Sequence, residues 1–174
     1  MIKRANESTS KRLNLQRMSQ QNIYMQQAIE LAKENASASG GGPFGALIVK
    51  EGKVISACSN SVTPDNDPTA HAEVNAIRSA CKELNTFDLT GCTLYSSCEP
   101  CPMCLSAAYW AKVDKIIFAA DRTDAAEAGF SDAFIYDEFT LALEKRSIPI
   151  EREMQKEGTE PFELWKKNEK KIRY

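Results

Sequence analysis

The chain has 174 residues, 43% of them hydrophobic and 26% charged, enough for one core that buries about 70% of the unfolded surface. No apolar run approaches the ~20 residues that span a bilayer. The first residues lack the apolar stretch and small-residue cleavage site of a secretory signal, so the expected location is the cytoplasm. The net charge is -2, yet residues 1 to 18 carry Lys3, Arg4, Lys11, Arg12 and Arg17 against Glu7. The remaining body is acidic, which argues against an extended phosphate-binding face.

In chain order, Gln20 to Glu34 has Met25, Ala28, Ile29 and Ala32 at helical spacing and ends at the breaker Ser39-Gly40-Gly41-Gly42-Pro43. Ala46 to Lys50 and Lys53 to Cys58 are rich in strand formers and flank Glu51-Gly52, the pattern of an antiparallel hairpin at a sheet edge. Ser61 to Thr69 reads as a loop and Ala70 to Glu83 as a helix. A strand over Cys92 to Ser96, a helix from Pro102 to Ala111 and a strand over Lys115 to Ala119 follow.

Beyond Asp121 the pattern suggests a short helix at Thr123 to Ala128. It also suggests a last strand at Ile148 to Glu153 and an amphipathic helix at Pro161 to Lys171. Helix and strand alternating after a hairpin predict a three-layer α/β/α fold with a central mixed sheet. Residues 1–18 read as a basic, disordered extension, with Met18 a plausible alternative start, and residues 19–174 as one domain.

The six cysteines read as reduced thiols, because a secreted disulfide scaffold is smaller and richer in cysteine. Cys58, Cys81 and Cys92 read as core residues. Cys98, Cys101 and Cys104 are equally spaced, which leaves two overlapping CxxC pairs.

The one histidine, His71, stands in His71-Ala72-Glu73, 30 residues before Cys101. Two parallel crossovers place both helix starts at the same end of the sheet, so His71, Cys101 and Cys104 can converge. Imidazole with two thiolates suits zinc, and the exposed N–H groups of a helix start favour thiolates. Three protein donors leave a fourth position for water, whose pKa zinc lowers to about 7. Glu73 is then the candidate proton carrier.

A closed structural site with Cys98 as fourth ligand would leave Glu73 without a task, and a redox CxxC needs neither His71 nor Glu73. Pro100 biases the preceding chain toward extended structure. Residues three apart in extended chain face opposite ways, which makes Cys98 the bystander.

H-x-E followed by P-C-x-x-C is the pattern by which zinc nucleobase deaminases are recognised. With GGPFGALIV at 41 to 49, NDPTAHAEVNAIR at 66 to 78, SSCEPCPMC at 96 to 104 and DAAEAGFSDAFIYDE at 124 to 138, the chain resembles the cytidine deaminase-like superfamily. Within it, the likeness is to the small bacterial guanine deaminases, which the ending PFELWKKNEKKIRY also resembles.

The resemblance implies one zinc ion per subunit and zinc-dependent hydrolysis of guanine at C2 to xanthine and ammonia, in purine salvage or catabolism. It further implies that Phe44 packs on the purine, Asn60 bonds its edge, Asp132 accepts from a ring N–H and Tyr174 closes the site. It implies a homodimer in which residues 156–174 can form a swapped lid, with no nucleic acid or membrane partner. A tRNA adenosine deaminase or cytosine deaminase shares the zinc chemistry, and an inactive zinc-stabilised binding protein is the alternative of another class.

Overall fold

A computed structural model describes residues 21–38 and 40–173. The expected extension 1–18, Gln20, Ser39 and Tyr174 lie outside the described residues. Contacts divide the chain into two compact units, with the boundary between Asp132 and Ala133.

The first unit is built on four strands. Helix α1 covers residues 21–37. The hairpin β1 (Gly45–Lys50) and β2 (Lys53–Ser59) follows, then the single turn α2 (Val62–Asp65) and α3 (Ala72–Glu83). β3 (Cys92–Cys98), α4 (Pro102–Trp110), β4 (Lys115–Ala120) and the short α5 (Arg122–Glu127) complete it. The spatial order is β2-β1-β3-β4. β1 runs antiparallel to β2 and β3, while β3 and β4 are parallel. The sheet is therefore mixed, as the alternation of elements predicts. β2 and β4 are its edges.

Side chains alternate across this sheet. On one face Ala46, Ile48, Cys92 and Leu94 meet Ala72, Ala76, Ile77, Ala80 and Ala108 of α3 and α4. On the other, Leu47, Val49 and Tyr95 meet Tyr24 and Ala28 of α1. These are the three layers. Alanine at i and i+4 on α3 lets the helix lie close, and Gly45 does the same beneath α1. A Cβ on Gly45 would stand 2.7 Å from Leu31 Cβ.

β2 and β3 run in the same direction with β1 between them, so both β2–α3–β3 and β3–α4–β4 are parallel crossovers. Both helices consequently start at the same end of the sheet. That end carries His71, Cys101 and Cys104.

The segment expected as a loop over Ser61 to Thr69 contains α2, whose C-cap Asn66 adopts φ 51. The second unit departs further from the sequence reading. Ile148 to Glu153 forms no strand: Pro149 has no N–H to give a ladder, and the alternation of Ile148 with Ile150 is accidental. Helix α6 (Ala133–Thr140), absent from the sequence reading, is rich in aromatic and β-branched residues of lower helix propensity, Phe134, Ile135, Tyr136, Phe139 and Thr140. The last helix, α7, is Gln155–Lys167 and not Pro161 to Lys171. Met154 at its start has a left-handed φ of 48 and no capping side chain, so no cap signal marks it, and Pro161 lies inside. Among the described residues no helix is long and apolar enough to cross a membrane.

Candidate active site

His71 is the N-cap of α3 and Cys101 the N-cap of α4, both with extended backbone and neither with a side-chain capping bond. The cap residue has left the helical backbone. Its side chain is therefore free to project from the helix mouth. Cys104 sits one turn into α4 and is fully buried. His71 Nδ1 lies 3.6 Å from Cys101 Sγ and 3.4 Å from Cys104 Sγ. The three donor atoms all lie within 4.8 Å of one another.

The donor set fits zinc: one imidazole and two sulfurs, borderline-soft ligands at the positive ends of two helices. Two thiolates balance the charge of a divalent ion, and the trio leaves one tetrahedral position for a small molecule.

The metal-free electrostatics match that role. Cys101 is drawn down to about 4, chiefly because the Cys104 thiol bonds to its sulfur, with His71 adding to the effect. Cys104 is pushed up for the same reason and by burial. His71 is raised above the usual imidazole value by its bond with Cys101. Cys101 thus gives up its proton more readily than Cys104.

Glu73, two residues into α3, is only 5% exposed. Its Oε1 accepts from Ser96 Oγ at 3.2 Å and its Oε2 from Cys104 Sγ at 3.5 Å. Burial raises its pKa. A carboxyl held next to the donor trio and easier to protonate than an exposed one suits proton transfer in both directions.

Cys98 lies outside the trio. Its Sγ points to Asp121 O at 3.5 Å, and burial pushes the thiol up to about 11.

Asn60 is buried at the end of β2, and its Oδ1 accepts from Gly42 N at 3.1 Å and Val62 N at 3.2 Å. Among the described residues no acceptor meets its Nδ2. Phe44 is half-buried, stacked edge-on to Phe130 with ring centroids 5.1 Å apart. The two rings help line a cleft of about 420 Å3 with Ser97, Cys98, Ala119 and Asp124. Neither the donor trio nor Glu73 is among its walls. Asp132 is half-buried, and its carboxyl is raised by burial and by the charges of Cys101 and Glu99. That places it within electrostatic reach of the trio.

The sequence reading missed the residues that hold this arrangement. Ser96 is one. Asn75 is another: its Nδ2 donates to Ser59 O, Ser61 Oγ and Ala70 O at 3.0 to 3.3 Å, tying the loop before His71 to α3. Asn35 does the same for the loop before β1, donating to Gly42 O and Asn60 O. A polar residue inside an apolar helical pattern is the only signal the sequence offers for such roles.

The zinc-binding region of cytidine and deoxycytidylate deaminases matches residues 18–120. The chain is 51% identical over 151 residues to the guanine deaminase of Bacillus subtilis, covering 87% of this chain and 97% of that protein. The X-ray structure of guanine deaminase from Bacillus subtilis superposes with a TM-score of 0.86 at 50% identity, over 88% of this chain and 98% of that one. The tRNA-specific adenosine deaminase of Aquifex aeolicus is 46% identical over 119 residues, covering 68% of this chain and 77% of that protein.

Proposed function

We propose that this chain, which belongs to the cytidine and deoxycytidylate deaminase zinc-binding family, hydrolyses guanine to xanthine and ammonia. The observation that carries the substrate is the 51% identity to a guanine deaminase over 97% of its length. The likeness to the adenosine deaminase covers less of this chain. The net negative charge of the body also argues against an RNA-facing enzyme.

His71, Cys101 and Cys104 would hold one zinc ion, which would make a water acidic enough to lose its proton near neutral pH. Glu73 would accept a proton from that water and deliver it to the ring nitrogen beside C2 as the C–O bond forms. It then assists departure of the amino group as ammonia, so that water and guanine balance against xanthine and ammonia. Burial supports this cycle because it brings the two protonation states of Glu73 closer in energy.

Phe44 packs on the purine and the unspent Nδ2 of Asn60 donates to its edge. Asp132 accepts from a ring N–H. Tyr174 as a lid, and residues 156–174 as a swapped segment, rest on the family resemblance alone; removal of Tyr174 should lower turnover and leave zinc in place.

A homodimer is part of the same reading. In the first unit Tyr109 is 76% exposed, and in the second Phe162 and Leu164 are 65% and 70% exposed. Exposed apolar side chains can mark a surface that another chain covers where they form a patch. Light scattering tests the dimer, and a monomer would end that part of the proposal. A place in purine salvage or catabolism, in the cytoplasm, is part of the same proposal.

The test is a substrate panel: zinc-loaded protein with guanine, adenine, cytosine and an adenosine-bearing anticodon stem, followed by ammonia release and product identification. Guanine should yield xanthine. Turnover of the stem or of cytosine in place of guanine would overturn the substrate assignment.

A further inference from the structure

We propose that Asn35 is a positioning residue for guanine binding, a clip on α1 that sets the orientation of the Asn60 amide; this rests on the guanine reading above. Asn35 lies near the end of α1, and its Nδ2 donates to Gly42 O at 2.7 Å and to Asn60 O at 2.8 Å. The two carbonyls belong to separate segments, the Gly40–Phe44 run and the end of β2. One side chain thus fastens both to the helix.

What is fastened is a tight cross-brace. Asn60 N donates to Phe44 O at 3.1 Å, while Asn60 Oδ1 accepts from Gly42 N and Val62 N. A Cβ on Gly42 would come within 3.1 Å of the Phe44 ring, and one on Gly41 would collide with Asn60 O. Little slack remains between the segments. With Oδ1 spent on two backbone donors, the Asn60 amide cannot flip without losing both bonds, and Nδ2 is the atom left for a ligand.

The chemistry requires an amide at position 35. Its NH2 has two hydrogens, one for each carbonyl. An aspartate of the same shape has none and would set a negative charge against two carbonyl oxygens. Asn35 touches no reacting atom, so its loss should show in binding and not in the chemical step.

The test uses the full zinc-loaded chain with Asn35→Asp and Asn35→Ala. For Asn35→Asp, KM for guanine should rise on the order of tenfold while kcat stays within about threefold, the pattern of lost uniform binding. Zinc content should stay at one per chain. The amides of Gly42 and Val62 should exchange hydrogen faster than in the unaltered protein. Asn35→Ala should move the same way by less.

An unchanged KM overturns the proposal. So does a parallel fall of kcat, zinc content and thermal stability, which would make Asn35 a fold residue only. Should Asn35→Asp not fold, Asn35→Ala is read by the same criteria. If the unaltered protein does not turn over guanine, the guanine reading fails on its own; the exchange rates at Gly42 and Val62 still decide the clip, faster exchange supporting it and unchanged exchange overturning it.

Discussion

Ser96 Oγ donates to Glu73 Oε1 at 3.2 Å, linking the central strand β3 to the first turn of α3. Both residues are buried, at 1% and 5% exposure. A carboxylate out of water depends on such donors, and this one fixes which oxygen faces the donor trio. Ser96→Ala should keep zinc, lower kcat on the order of tenfold and cost about 1–3 kcal/mol of stability. Ser96→Thr, which keeps the hydroxyl, should recover much of the activity. Kinetics with parallel zinc analysis checks this; an Ala variant as active as the parent would remove Ser96 from the account.

The two CxxC pairs separate on geometry. Cys98 Sγ is engaged by Asp121 O while Cys101 and Cys104 face His71. Cys98→Ser should retain one zinc per chain and most activity. Cys101→Ser should weaken zinc by more than the roughly 10–100-fold that loss of an outer-shell partner costs. Zinc retention after dialysis against a graded chelator distinguishes the two variants.

Metal binding should release protons, and the sign follows from the shifts. Near neutral pH Cys101, drawn down to about 4, has already lost its proton, whereas Cys104, pushed up, keeps it. His71, raised by its bond with Cys101, keeps a proton to higher pH than a free imidazole. All three must be proton-free to bind. Release should therefore fall from about two protons below the raised His71 pKa toward about one above it. Calorimetry in buffers of different ionisation enthalpy measures this, and a release that does not change with pH would refute the linkage.

Much of this architecture is legible in sequence because it is periodic or punctuated. The apolar runs of β1 and β3 and the helix starts at His71 and Pro102 all fall within two residues of where pattern puts them. The donor trio is legible because parallel crossovers force both helix starts to one end of the sheet. Ser96, Asn75 and Asn35 are not, since their partners are a carboxylate and backbone carbonyls brought close only by the tertiary fold. In the second unit the aromatic α6 and the uncapped α7 defeat local rules, and Ile148 and Ile150 mimic a strand around Pro149.

Gly45 shows how close packing of α1 depends on a missing side chain. Gly45→Ala would press its Cβ toward Leu31 and the α1 backbone. The helix must shift, at a cost of about 1–3 kcal/mol. Because Asn35 and the Gly42 loop ride on that helix, KM for guanine should rise with it. Thermal melting and steady-state kinetics on one sample read both effects.

In the proposed reaction Glu73 moves protons at a zinc site built by His71, Cys101 and Cys104. Glu73→Gln, close in shape but unable to cycle a proton, tests it most directly when zinc content and guanine turnover are measured on the same preparation. One zinc per chain with turnover reduced about 10²–10⁴-fold is the predicted result. Turnover near that of the parent protein with zinc in place would rule out Glu73 as the proton carrier.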